Sequence, residues 1–302
     1  MIYLVLRGRI GNQLFEYAIA ETIRQELSEN TIIIDDSEVV ELNWKNSLIE
    51  YQIKDVQYIH SHKEMNKYLS RIQIILFKLY HKVVSRVGFK SKFRIEKTIS
   101  GLFNYYDIVA CENGYLPYSL KKRRTILLDG YFQSEKYFYN YKSIISEILG
   151  TGFENALDIY SGIETIRNRE SICISIKVEH NVGSSLYDVC TKDYWEKAIG
   201  YICKKVSNPL FFICSDNVPY VLENFIDAEK YDYVIQDSTK PVHISLAAMS
   251  ECKHFIIGNT TFGWWAQYLS KNPEKIVVAP SKWMAVDMPI DIYQDNWHLI
   301  EV

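Results

Sequence analysis

The sequence predicts an α/β protein built from two parallel-sheet domains, and three observations carry that prediction. The chain is 302 residues long; its opening reads strand, glycine turn, helix, strand; and its second half alternates short apolar runs with helix-like stretches. The length exceeds the usual span of one core, which makes two domains of roughly 150 residues each the natural division. A polar, helix-capable stretch around residues 150–168 holds the boundary, giving domains 1–155 and 156–302.

In chain order, residues 2–6 are an apolar run closed by Gly8, and residues 12–27 place Leu14, Phe15, Ala18, Ile19 and Ile23 on one helical face. Residues 31–35 are again apolar and end in acids, so the chain opens with a βαβ unit, from which parallel sheets grow. Residues 63–87 read as one amphipathic helix, with Leu69, Ile72, Ile75, Leu76, Leu79 and Val83 on one side and Lys67, Arg71, Lys78, Lys82 and Arg86 largely on the other. Residues 127–133 run from strand into loop and lead to a Tyr-rich helical stretch ending near Gly150. The second half then reads strand at 172–176, 210–214, 233–235, 255–257 and 275–279, the last of them, with helices at 192–206, 218–225, 243–251 and 261–269 between. That alternation favours a doubly wound parallel sheet.

Composition narrows the function. With 48% hydrophobic and 24% charged residues the chain is globular, and its net charge of −3 excludes a protein whose main task is to wrap a nucleic acid backbone. Locally, residues 63–97 hold ten basic residues against two acidic ones. That stretch suits contact with an anionic membrane surface or, equally, a solvated helix face. The 23 tyrosines fit an ordinary core or a saccharide-stacking groove. Six cysteines without a Cys-x-x-Cys pair read as reduced core residues of a cytosolic protein. The first apolar run is too short for a signal peptide or a membrane span, so a cytoplasmic location is expected.

In open α/β sheets ligands sit beyond the carboxyl ends of the strands, so the residues just after each apolar run are the candidates. They are Ser175, Lys177, Glu179 and His180, then Ser215 and Asp216, then Asn259, Thr260, Thr261 and Phe262, and in the first domain Gly11, Asn12 and Gln13. The run Gly258–Thr261 opens a helix, whose N–H groups and hydroxyls suit phosphate oxygens, although a plain helix cap would account for one hydroxyl. Gly8–Gly11 has the spacing of a phosphate-binding glycine loop or of a simple tight turn. No cluster has metal-ligand spacing, and no G-x-S-x-G elbow offers a serine nucleophile.

Four segments in order carry a resemblance. Residues 8–18, Gly-Arg-Ile-Gly-Asn-Gln-Leu-Phe-Glu-Tyr-Ala, are similar to the G-G-L-G-N-Q opening of the α-1,2-fucosyltransferases, glycosyltransferase family 11. Residues 129–137 resemble that family's G-Y-F-Q-S-E-K-Y segment, residues 211–217 its F-F-x-F-S-D-D, and residues 249–266 its M-S-x-C-K-H…N-S-T-F-S-W-W-A.

The resemblance implies two Rossmann-like domains facing a cleft, the GT-B type, and an inverting transfer of fucose from GDP-fucose to a glycan or lipid-linked oligosaccharide acceptor in bacterial surface polysaccharide synthesis. It implies no metal and no cofactor beyond the nucleotide sugar. The diphosphate is then expected on Lys177, Asn259, Thr260 and Thr261, and a base at Glu179 or His180. Two positions depart from the pattern. The family's H-x-R-R-x-D is here Ser175-Ile176-Lys177-Val178-Glu179-His180, and Ser245 stands where an acidic residue is expected. A lysine supplies a point charge without the bidentate fork of arginine. A different nucleotide-sugar donor, or a non-catalytic glycan-binding descendant, therefore stand as the alternatives.

Overall fold

A computed structural model describes residues 1–28, 31–51, 53–227 and 229–302. The chain forms two compact units, residues 1–148 with 287–293 and residues 149–286 with 294–302. The boundary expected after residue 155 falls earlier because Gly150 already lies against Leu269 of the second unit.

The first unit runs β1 (Ile2–Val5), α1 (Ile10–Leu27), β2 (Ile32–Asp35), α2 (Ser37–Glu41), β3 (Val56–Ile59), α3 (Arg71–Val84), α4 (Phe89–Tyr105), β4 (Ile108–Ala110), β5 (Ile126–Asp129) and α5 (Lys142–Gly150). Its five strands are parallel and ordered β3-β2-β1-β5-β4. Strands β1, β2 and β5 are buried along their whole length, which is why they read as unbroken apolar runs. Gly8 makes the turn between β1 and α1 at φ +63°, where a Cβ would lie 2.5 Å from the Asn12 side-chain nitrogen.

The helix expected over 63–87 is shorter. Residues 62–67 form a 3₁₀ turn, and Ser70 and Gln73 close a reciprocal capping box that starts α3. The buried face of α3 holds Gln73, Ile74, Tyr80 and Val84, whereas Ile72, Ile75, Leu79 and Val83 are exposed. Apolar periodicity thus pointed only partly to the core, since Leu69 and Leu76 reach it but the core also takes Gln73, whose amide donates to the carbonyls of Tyr106 and Thr125 at 3.0 and 2.8 Å.

The second unit runs α6 (Glu154–Asp158), α7 (Ile163–Asn168), β6 (Ser171–Ile176), α8 (Lys192–Cys203), β7 (Leu210–Ser215), α9 (Val218–Asn224), β8 (Tyr233–Ile235), α10 (Val242–Ser250), β9 (His254–Ile257), α11 (Thr261–Leu269), β10 (Val277–Pro280) and β11 (His298–Ile300). Its six parallel strands are ordered β11-β10-β9-β6-β7-β8. The expected last strand is therefore next to last; β11 is three residues of mixed exposure and leaves no periodic signal. Below the sheet's central strands, Ile174, Trp195, Phe211 and Ile213 belong to one buried cluster. The six cysteines are free thiols, four of them buried.

Candidate functional site

In the second unit, chain order along the sheet reverses between β6 and β9, since β7 and β8 follow on one side of β6 and β9, β10 and β11 on the other. Such a reversal splays the two connections apart and opens a crevice at the carboxyl edge. Ser175 pairs with Ile257 there, and the Gly258 N–H donates to the Ser175 carbonyl at 3.0 Å. Thr260 then caps α11, its hydroxyl accepting from the Gly263 N–H at 3.0 Å. Gly263 has no room for a side chain, as a Cβ would lie 2.9 Å from that of Ser175. This close approach sets the N-terminus of α11 directly beside the end of β6. The half-buried Thr261 and Phe262 form its first turn, where backbone N–H groups have no intrahelical partner.

Past β6, two successive side chains part company. Val178 is 7% exposed and joins the core cluster with Trp195 and Val221, while Lys177 lines a pocket with Asn181, Tyr187, Gly258 and Asn259. That pocket is small, with an accessible volume of about 10 Å³, on the order of a single water molecule. Asp216 shapes it by accepting from the N–H groups of Val178 at 2.7 Å and Glu179 at 3.4 Å. The Ser215 hydroxyl accepts from the Asn217 N–H at 3.1 Å. Asn259, 8% exposed, donates to the carbonyls of Tyr187 and Trp283 at 3.0 Å each and accepts from Asn181 at 3.0 Å. Its amide is thus spent holding the loop of residues 177–190 in place.

Glu179 and His180 are exposed on that loop. Ser245 sits on α10, 7% exposed, and bonds the Tyr160 hydroxyl, which also accepts from the Asp237 N–H at 2.9 Å. Burial pushes the Tyr160 phenol up to about 12. In the first unit Gly11 and Gln13 are buried at the start of α1. The Gln13 amide donates to the carbonyls of Gly8 and Lys45 at 2.9 Å each and accepts from the Ser47 N–H at 2.8 Å. The Asn12 oxygen accepts from Gln133 at 2.9 Å. Among the described residues no group of three His, Cys, Asp or Glu side chains could hold a metal ion.

Sequence reasoning missed a second polar group, at the carboxyl edge of the first sheet. Arg7, two residues past β1, meets Asp129 at 2.5 Å and Glu38 and Glu112 at 3.3 Å each, and Asp129 also holds His81 of α3 at 2.7 Å. The one signal was Asp129 itself, an acid ending an apolar strand.

A family model described as glycosyl transferase family 11 matches residues 1–301. The O-antigen biosynthesis glycosyltransferase WbnK of Escherichia coli is 24% identical, over 98% of this chain and 99% of its own. An α-1,2-colitosyltransferase of the same species is 29% identical, over 51% of this chain and 54% of its own. Among solved structures, the fucosyltransferase NodZ from Bradyrhizobium superposes with a TM-score of 0.54 at 15% identity, covering 95% of this chain and 98% of that one. The fold is thus of the GT-B type, two Rossmann-like units.

Proposed function

The chain belongs to glycosyl transferase family 11, and from that premise we propose that it moves a sugar from a nucleoside diphosphate donor to a glycan hydroxyl with inversion, GDP-fucose and an α-1,2 linkage being the specific reading. One observation carries it: the strand reversal of the second unit brings Lys177, after β6, and the N-terminus of α11, after β9, to the same crevice. A departing diphosphate needs its growing negative charge met. Lys177 and the helix N-terminus with the hydroxyls of Thr260 and Thr261 are the chain's own means of meeting it. Asn259, Asp216 and Ser215 act by shaping the loop, and Ser175 and Ser245 belong to the nucleoside side of the crevice. WbnK supports a role in surface polysaccharide synthesis.

A second reading keeps the transfer and changes the donor. Val178 turns into the core, so the segment after β6 offers the diphosphate one cation where the family's motif has two. The relative named a colitosyltransferase supports a family that accepts more than one donor sugar. Titration calorimetry with GDP and UDP, followed by transfer assays with their sugars, separates the readings. Tight binding of GDP with fucosyl transfer is expected. Transfer from another nucleotide sugar favours the second reading, and binding of no nucleotide overturns both in favour of a non-catalytic descendant.

We further propose peripheral contact with an anionic lipid surface, where a lipid-linked acceptor would be met from the cytoplasmic side. The exposed ridge Ile72, Ile75, Leu79 and Val83 lies beside Arg71, Lys78 and Lys82 on α3. Among the described residues no helix is long and apolar enough to cross a membrane. Cosedimentation with vesicles containing phosphatidylserine, and not with phosphatidylcholine alone, is the expected result; equal recovery with both removes the proposal.

A further inference from the structure

We propose that the Tyr131 phenol binds a hydroxyl of a neutral acceptor sugar at the carboxyl edge of the first sheet. The proposal rests on the sugar-transfer reading above, which requires a glycan acceptor, and it concerns binding within the first unit alone. In that unit β2 and β3 extend to one side of β1, and the chain then crosses to β4 and β5 on the other, so the reversal lies between β1 and β5. This is where a parallel sheet of this kind receives a ligand. Arg7, Glu112 and Tyr131 each stand two residues past a strand, β1, β4 and β5 in turn. Gly130 presses the ends of β4 and β5 together, since a Cβ there would lie 2.0 Å from the Cys111 carbonyl oxygen.

The ions at this edge are paired with one another. Arg7 is divided among Glu38, Glu112 and Asp129, and Glu112 also holds Lys92 at 2.6 Å. Tyr131 is the exception. It is half-buried, and its hydroxyl hydrogen-bonds to none of the described residues, although Glu16, Arg7, Glu112 and Glu38 lie near enough for their charges to act on it. Burial holds the phenol above its ordinary value, so it stays protonated and can both donate and accept. A second polar group beside it is also unanswered. Glu16, fully buried, accepts from the Arg7 N–H at 2.8 Å on one carboxyl oxygen, and its other oxygen has no partner. Burial pushes that carboxyl well above the usual range and keeps it neutral.

These groups select the class of ligand. A sugar hydroxyl, like the phenol, is donor and acceptor at once: it can accept from Tyr131 and donate to a carboxylate, of which Glu38, its side chain 38% exposed, is the most open here. A uronic acid would instead need a cation. Arg7 is already shared three ways and Lys92 is held by Glu112, so an added carboxylate would face Glu38 and Glu112 without compensation. The edge therefore accepts a neutral sugar and turns away its acidic counterpart.

The test uses the full chain with GDP present and saturation-transfer NMR on two sets of probes, the methyl glycosides of galactose, glucose and mannose and those of the matching uronic acids. A neutral glycoside should bind and its uronide should not. Tyr131→Phe keeps the ring and removes one hydroxyl, so it should weaken the neutral glycoside about three- to tenfold, the worth of one hydrogen bond, with melting temperature and GDP affinity unchanged. In transfer assays the same variant should raise the acceptor KM by that factor and leave kcat almost as it was. Glu38→Gln should narrow the preference over the uronide. Uronides that bind as well as neutral glycosides overturn the proposal, as does a Tyr131→Phe chain that binds the glycosides as its parent does; with GDP still bound, either result leaves sugar transfer standing. Glycosides held through Tyr131 by a chain that binds no nucleotide uphold this site and overturn the transfer reading.

Discussion

At the carboxyl edge of the first sheet, Arg7 is 5% exposed and meets Glu38, Glu112 and Asp129. At the corresponding edge of the second sheet stand Ser175, Asn259 and Thr260, uncharged, with Lys177 lining the adjoining pocket. The first edge therefore answers its charges from within the chain, so they contribute to holding strands β1, β4 and β5 in register. The second shapes its loop with the Asp216 carboxylate and the Asn259 amide, and on the proposed reading its cation and helix N-terminus meet an anionic donor. Removing the cation of each edge should divide accordingly, Arg7 at the first costing stability and Lys177 at the second costing affinity.

The largest effect is expected at Arg7. Arg7→Met removes the cation that three carboxylates share and leaves Asp129 buried with only His81, which should cost about 3–5 kcal/mol of stability. Urea unfolding measures it; a loss below about 1 kcal/mol would mean that the cluster is not what holds this edge. At the other edge, Lys177→Ala should leave unfolding almost unchanged and weaken nucleotide binding about 10- to 100-fold, the worth of one charge-assisted contact. Unaltered affinity in calorimetry removes Lys177 from the site and erases the contrast. Between the two lies Asn259→Ala, which releases the carbonyls of Tyr187 and Trp283 and should cost about 1–3 kcal/mol while loosening the loop that carries Lys177. Proteolysis within residues 177–190 should quicken in that variant and slow again with nucleotide.

The second unit was the more legible half, for a physical reason. Strands β6 and β7 are buried from end to end, each ending in polar residues that return to the surface, so alternation of apolar runs and loops marks both the sheet and its edge. The first unit hides its polar cluster because the cluster is not local. His81 and Asp129 are 48 positions apart and Arg7 and His81 are 74, and no periodicity joins them. Strands β3 and β4 are four and three residues at the sheet's two edges, and β3 alternates only weakly between exposed and buried. What Asn259 does could not be read either: a polar residue after a strand looks the same whether it faces a ligand or holds a loop.

Helix α3 gives the finest test of how far such reading extends. Its exposed residues Ile72, Ile75, Leu79 and Val83 are as apolar as a core face, and helical periodicity alone cannot tell an apolar face that meets protein from one that meets something else. Ile75 is 56% exposed and its neighbour Ile74 is 9% exposed. Ile74→Ala should then cost about 2–4 kcal/mol through lost packing, whereas Ile75→Ala should stay within about 0.5 kcal/mol and yet reduce recovery on phosphatidylserine vesicles. Thermal unfolding of the pair decides the orientation. Equal losses would return the ridge to the interior, and with it the amphipathic face that the sequence first proposed.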